Sequence, residues 1–459
     1  MATKTPMRSG SVPAHDPGPR DFERLAEYPH VVVGWIDDDG YPMSVATTFE
    51  ADAAAGVVRL APPAGLTIPT DREVSVTGSH IHPQPGIGYD ERRYLQLWGV
   101  FDGTATLTPS RAWGWDETEV PFFEYSERSV PQSRRYLAQL SEEKGRLIRP
   151  KLSPFWLALR TTRLPFLSAT AVPVLLGIAV AASDGAFTWW TALLTLIGGS
   201  FAHLAINVTN DIFDTLSGAD DANTTPTQFS GGSRVAVYDL VTIRGLSRLA
   251  VGLFGAAAAI GLVLVAVTGS MTLLWIGVAG IAVGVAYTAP PLKLVYRGLG
   301  ELAVAVGFGP IMLLGAYVVQ TGRIALEPLV LSLVPGILIA LILYVNEIPD
   351  RRSDAEAGKR TLPVRLPREA VQVGYLVAAL AAFAVIVAGV AGGLLPWPTL
   401  IALAAVPIAL RVHQGIKVHY DSPYTLMAVM GTNVNLNLVV GGLLLVAYVL
   451  TIVVSLVAG

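Results

Sequence analysis

"NDIFDTLSGADD", Asn210–Asp221, places four acids (Asp211, Asp214, Asp220 and Asp221) directly after the apolar run TWWTALLTLIGGSFAHLAINVT, Thr188–Thr209. A run of that length spans the roughly 30 Å hydrocarbon core of a bilayer. Carboxylates gathered at a membrane exit are either a solvated loop or a site for a charged partner. A second stretch of the same kind, "NEIPDRRSDAEAGKRTLPVRL", starts at Asn346 behind another apolar run. On a helix, Asn346, Asp350 and Asp354 share one face, and Asp211 and Asp214, three apart, share a face too. Pro349 can kink or start the second of these helices.

Composition agrees with a membrane location. The chain is 52% hydrophobic and 15% charged, with mean hydropathy +0.52, whereas soluble domains carry roughly a quarter charged residues. The deficit is uneven. Residues 1–150 hold many of the charges and read as soluble; from Leu164 onward apolar runs near bilayer length recur. We expect about nine spans, over 164–183, 187–209, 246–268, 271–288, 299–319, 327–347, 370–391, 397–412 and 434–457. Net charge is −3, so nothing argues for nucleic acid, and the absence of Cys excludes disulfides and thiolate chemistry. Residues 1–20 lack an apolar signal core and read as a disordered lead-in.

Lys and Arg set the orientation. Segments on one side carry Arg149, Lys151, Arg160 and Arg163; Arg234 and Arg244; Lys293 and Arg297; Arg351, Arg352, Lys359, Arg360, Arg365 and Arg368; and Arg411 and Lys417. The opposite loops carry only Arg323. The basic side is expected to be cytoplasmic, placing both acid-rich stretches and the N-terminal domain there, in a protein of the cell membrane.

Residues 21–150 are expected to form a small soluble β-barrel domain, with the boundary near Pro150. VVVGWI (31–36), YPMSVATTF (41–49), GVVRLA (56–61), EVSVTG (73–78) and YLQLWGVFDGTATLT (94–108) are β-rich. DDDG (37–40) reads as a hairpin turn, and EYSERSVPQSRRYLAQLSEEKGRL as helical.

Paired carboxylates at one membrane surface suit Mg2+, which takes a few carboxylates plus substrate phosphates. A diphosphate held that way becomes a good leaving group. Arg234, Lys293, Arg297, Arg351, Lys359 and Arg360 could assist, or simply set the orientation.

These motifs resemble the UbiA superfamily of intramembrane aromatic prenyltransferases. The likeness covers residues 154–459 and rests on several motifs in order. The NDxxDxxxGxD form covers Asn210, Asp211, Asp214, Gly218 and Asp220, with Asn207 ahead of it. FSGGSR spans Phe229–Arg234, and YTAPPLKLVYRGLGE spans Tyr287–Glu301. Asn346, Asp350 and Asp354 precede GKRTL, Gly358–Leu362. The resemblance implies an all-α membrane domain of nine helices around a central cavity, and is closest to the 1,4-dihydroxy-2-naphthoate polyprenyltransferase branch of menaquinone biosynthesis. By resemblance, Asn210, Asp211, Asp214, Asp350 and Asp354 hold Mg2+ and diphosphate, and Asn207 lines the polar end. Tyr287, Lys293 and Arg297 touch the diphosphate or position the aromatic acceptor. Asp220, Arg234, Asn346, Arg351 and Lys359 complete the substrate-binding set. The branch usually has Arg-Pro where this chain has Arg160-Thr161, a departure that bears on the acceptor. The implied reaction joins a polyprenyl diphosphate to an electron-rich ring carbon, with loss of a proton or of CO2. The barrel resembles FMN-binding split barrels related to pyridoxamine 5′-phosphate oxidase, which implies either bound FMN or a scaffold that has lost it.

Other polar residues have plainer readings. His203, four before Asn207, lines the cavity or bonds between helices. Asn433, Asn435 and Asn437 read as packing or capping groups, and His80 and His82 as a surface pair. The rivals are a UbiA-type enzyme acting on 4-hydroxybenzoate, homogentisate, a porphyrin or a glycerol-phosphate lipid, and a secondary transporter. Transporter sites lie near the midplane in broken helices, whereas these acids cluster at helix ends.

Overall fold

The computed structural model describes residues 14–84, 88–120, 122–150, 152–223 and 225–458. The lead-in expected over residues 1–20 falls, as far as residue 13, outside the described residues. The chain divides into two compact units, Met1–Tyr136 and Leu137–Gly459.

In the first unit, six antiparallel strands close a barrel in the order β1-β2-β3-β6-β5-β4. They are β1 (Val31–Ile36), β2 (Pro42–Asp52), β3 (Val57–Ala61), β4 (Glu73–Gln84), β5 (Gly88–Phe101) and β6 (Thr106–Asp116). Period-2 alternation turns Val31, Val33 and Trp35 inward. There they meet Val74, Val76, Leu95, Leu97 and Leu107, with Phe22 and Leu25 from the helix Pro19–Ala26 in the same core. The expected DDDG turn forms: Asp37 Oδ1 accepts from the amides of Asp39 and Tyr41. The β-rich run 94–108 divides between β5 and β6. Asp102 Oδ1 accepts from the amides of Thr104, Ala105 and Thr106, which turns the chain. The expected helix forms over Phe122–Glu143. His80 contacts Glu91 at 3.4 Å on the exposed rim.

The second unit is helical. Among the described residues, eight helices are long and apolar enough to cross a membrane, which makes this an integral membrane protein. They are Trp189–Ser217, Ile243–Thr268, Met271–Thr288, Gly300–Thr321, Leu326–Glu356, Arg368–Ala391, Trp397–His419 and Pro423–Val457. A shorter apolar helix, Ser168–Ser183, precedes them. We number this shorter helix first and the others second to ninth. The ninth starts at Pro423 rather than near 434, so Asn433 lies inside it. There Asn433 accepts from the Tyr375 hydroxyl and donates to the Leu341 carbonyl.

Two helices outrun their apolar segments. The second has 29 residues and the sixth 31, about 43 and 46 Å at 1.5 Å per residue. Their last turns therefore stand beyond a roughly 30 Å hydrocarbon core. Hydropathy marks where the bilayer ends, not where the helix does. Both acid-rich stretches are helical for this reason, and the sixth helix continues through Pro349.

Side-chain ties show which loops share an end. Arg163, ahead of the first helix, pairs with Asp211 of the second. Tyr296, after the fourth, donates to Asp214. Asn223, after the second, donates to Asp350 of the sixth. Arg351 of the sixth helix and Arg368 of the seventh both pair with Asp421, after the eighth. At the other end, Tyr317 and Arg323 bind Asp184, and Tyr448 donates to Glu327. Successive helices therefore alternate in direction, and the basic loops meet at the end that holds the acids.

The main core joins Leu176, Tyr317, Leu341, Tyr375, Val412 and Tyr448 from the first, fifth, sixth, seventh, eighth and ninth helices. The third and fourth bury few side chains, among them Leu264 and Leu273 in the same core.

Candidate active site

A cavity of about 560 Å3 lies among the second to sixth helices. Most of its wall is apolar, with Ile260, Leu264, Leu273, Ile276, Phe308 and Met312 among the lining. Its polar end is built where the second and sixth helices run past their apolar segments. Asn207, Asn210, Asp214, Tyr287, Asn346, Asp350, Asp354 and Lys359 all line it. Eight of the sequence-selected residues thus meet in one place.

Each acid is held by a neighbour. Asp214 accepts from Tyr296 Oη at 2.8 Å, Asn210 Nδ2 at 2.8 Å and Lys359 Nζ at 3.3 Å. Lys359 also lies 3.8 Å from Asp354, so one ammonium joins the acids of the two helices. Burial works against its charge, yet the carboxylates of Asp214 and Asp354 hold Lys359 well above the usual lysine range. Asp350 accepts from Asn223 Nδ2 and from the Gly231 amide, both at 2.8 Å. Asp211 lies outside the lining, 2.7 Å from Arg163 Nη2 and 3.2 Å from the Ser233 amide.

The loop after the second helix is the second structural component. Gly231 and Gly232 have φ of +76° and +71°, and a Cβ on Gly232 would sit 2.7 Å from Asp220. Only glycine allows this loop to lie against the acids. Asp220 is buried beneath it. Burial, then the nearby Asp214 and Asp211, push its carboxyl well above the usual range.

Of the six sequence-selected cations, all but Lys359 stand outside the cavity lining, Arg360 among them. Arg234 is buried and donates to the Asp220 and Asn223 carbonyls and to Tyr238 Oη, bracing the loop. Arg351 pairs with Asp421 and stacks on Tyr420. Arg297 donates to the Pro291 carbonyl, and the Lys293 ammonium lies over the Tyr296 ring. Arg160, at the departure from the branch pattern, donates to the Ser233 carbonyl.

Several residues escaped selection from sequence. Arg163, Phe166, Phe229 and Glu347 line the cavity, and Tyr296 and Asn223 hold its acids. Glu347 and Tyr296 sit inside the NEIPD and YRGLGE motifs, a signal that could have named them. His203 also lines the cavity, within hydrogen-bond distance of Thr170 and edge-on to Phe308.

The donor set fits Mg2+. Oxygen ligands predominate, and Asp211 Oδ2, Asp220 Oδ2 and Asn346 Oδ1 are buried without partners. Among the described residues no three acidic or His side chains are placed to share one ion.

The UbiA prenyltransferase family model matches residues 170–429. A 1,4-dihydroxy-2-naphthoate octaprenyltransferase of Mycobacterium tuberculosis is 35% identical over 243 residues, covering 52% of this chain and 78% of that protein. A 2-carboxy-1,4-naphthoquinone phytyltransferase of Synechocystis is 28% identical over 311 residues, covering 65% of this chain and 94% of its own length. A solved structure of a UbiA homolog from Archaeoglobus fulgidus bound to DMAPP and Mg2+ is 12% identical. It covers 62% of this chain and 99% of that one, with a TM-score of 0.45.

Proposed function

The chain belongs to the UbiA prenyltransferase family, and on that premise we propose that it prenylates 1,4-dihydroxy-2-naphthoate from a polyprenyl diphosphate, within menaquinone biosynthesis. The observation that carries the reading is the meeting of two acid-bearing helix ends at one end of an apolar cavity, joined through Lys359. The two similar enzymes differ in the tail their names give but share a naphthalene acceptor, so the ring is the part that transfers to this chain.

Asp211, Asp214, Asp350 and Asp354, with Asn210, are proposed to hold Mg2+ and through it the diphosphate. When bound, the metal offsets the charge that develops on the departing diphosphate. Lys359 and Arg163 add positive charge at the same end. The isoprenoid tail lies along the apolar wall, which excludes water from the allylic carbon. The carbon–oxygen bond to diphosphate breaks, with the electron pair leaving on oxygen. Phe166, Phe229 and Tyr287 offer aromatic faces to the positive carbon. A ring carbon of the naphthoate forms the new bond, and a proton or CO2 departs to restore aromaticity. Arg234 and Arg351 serve as braces of the loops rather than as ligands. The basic loops support a cytoplasmic location for this end, in the cell membrane.

Acceptor choice gives the direct check. Detergent-solubilised protein, given a polyprenyl diphosphate and Mg2+, should prenylate 1,4-dihydroxy-2-naphthoate at least about 100-fold faster than 4-hydroxybenzoate or homogentisate, about 3 kcal/mol of discrimination. Equal or reversed rates would keep the reaction class and overturn the acceptor.

For residues 21–150 we propose a separate soluble module that holds FMN, supported by its closed six-stranded antiparallel barrel. The full-length chain should show flavin absorbance as purified, or bind FMN on titration. A chain that does neither leaves the barrel as a scaffold.

A further inference from the structure

Glu347 lines the cavity on the sixth helix, three residues before Asp350 and so about 4.5 Å deeper along the axis. It is 5% exposed, and its carboxyl oxygens find no donor other than the neighbouring carboxyl of Glu301. Lys359 directs its ammonium to Asp214 and Asp354 instead. The polar neighbours of Glu347 are another acid, Glu301 at the start of the fifth helix, and, within electrostatic reach, Lys359 and Tyr287. Next to Glu347 in the chain, Asn346 also lines the cavity, and its Oδ1 is buried without a donor. The stretch just below the acid cluster therefore offers more acceptors than donors.

Buried acceptors left unpaired cost several kcal/mol. A site built to bond a substrate hydroxyl carries such groups and is satisfied only when that substrate arrives. Of the two proposed substrates, the prenyl diphosphate cannot meet the need: its polar atoms are anionic acceptors and bring no O–H donor. A dihydroxy-aromatic ring can, because it brings O–H donors on a flat apolar body that fits a mostly apolar wall.

We infer that Glu347 binds the aromatic substrate by accepting a hydrogen bond from a ring hydroxyl, with Glu301 backing it. This selects hydroxylated rings and places the nucleophilic ring just inside the diphosphate site. The inference rests on the prenyl-transfer reading and adds a residue for the acceptor, where the acids serve the donor.

The test uses full-length protein with 1,4-dihydroxy-2-naphthoate and its mono-methyl ethers. Glu347→Gln should raise KM for the naphthoate about tenfold, the worth of one weakened hydrogen bond. KM for the polyprenyl diphosphate should stay within about threefold and Tm nearly constant. In the wild type, one of the two ethers should lose affinity to a similar degree, and Glu347→Gln should add little to that loss. Glu301→Gln should act more weakly on the same KM. The inference is overturned if acceptor KM is unchanged, if both KM values rise alike, or if only Tm falls. Should Glu347→Gln not fold, the wild-type comparison decides: both ethers used as well as the free naphthoate would overturn it. A wild type that makes no prenylated product at all would instead sink the prenyl-transfer reading.

Discussion

Asp354→Asn should lower kcat for prenyl transfer by about a thousandfold or more while leaving the protein folded. Asp354 lines the cavity, is 5% exposed, and has Lys359 at 3.8 Å as its ion-pair partner. Lys359 keeps Asp214 at 3.3 Å, so the variant does not strand the ammonium. Asn matches Asp in volume, so packing is disturbed little. What disappears is a negative charge where metal and diphosphate must be held. Metal stabilisation of a departing diphosphate is worth several kcal/mol, and about 4 kcal/mol corresponds to a thousandfold. The Mg2+ concentration for half-maximal rate should rise at least about tenfold, with Tm within a few degrees of wild type. An active variant with unchanged Mg2+ dependence would remove Asp354 from the proposed ligand set.

Gly336→Val should prevent accumulation of folded protein. Gly336 sits where the fifth and sixth helices touch. A Cβ there would lie 2.6 Å from the Ala305 carbonyl oxygen and 3.2 Å from Gly309 Cα. Both are backbone atoms and cannot swing aside. Gly309 is equally crowded, its Cβ position 2.7 Å from the Ser332 carbonyl oxygen. Small residues let membrane helices approach this closely, and forcing in a branched side chain costs about 3 kcal/mol or more. Because the sixth helix carries Asn346, Glu347, Asp350 and Asp354, separating it from the fifth would also dismantle the site. Gly252→Val is the control: its Cβ would meet nothing within 4 Å, and the variant should behave as wild type. Monodisperse yield in detergent and thermal unfolding distinguish the two. A well-folded Gly336→Val protein would show that the observed contact is not required.

What was legible in the sequence is what depends on short-range periodicity. Apolar runs gave the spans, and the four-residue spacing put Asp350 with Asp354 in the cavity lining, whereas Asp211 turns to Arg163 while Asp214 faces the cavity. Helix ends were less legible, because the second and sixth helices continue into polar sequence with no hydropathic signal. The split of 94–108 into two strands depended on one carboxylate, Asp102, capping three amides. Pairings across the fold were not legible. Arg163 meets Asp211, and Lys359 meets Asp214, across long sequence separations that no local pattern encodes. Arg234 and Arg351 looked like ligands because they are cations beside acids. Loop geometry turns Arg234 to carbonyls and Arg351 to Asp421 instead. Glu347 was hidden for the opposite reason: one acid among many, distinguished only by the depth at which the helix buries it.

The central claim is that the acid cluster and cavity act together as a metal-dependent prenyl-transfer site. The most direct measurement follows purified full-length protein with a polyprenyl diphosphate and 1,4-dihydroxy-2-naphthoate, in Mg2+ or in EDTA. Prenylated product and released diphosphate should form in equal amounts with Mg2+, and neither with EDTA. Release of no diphosphate in Mg2+, or the same product yield in EDTA, would contradict it.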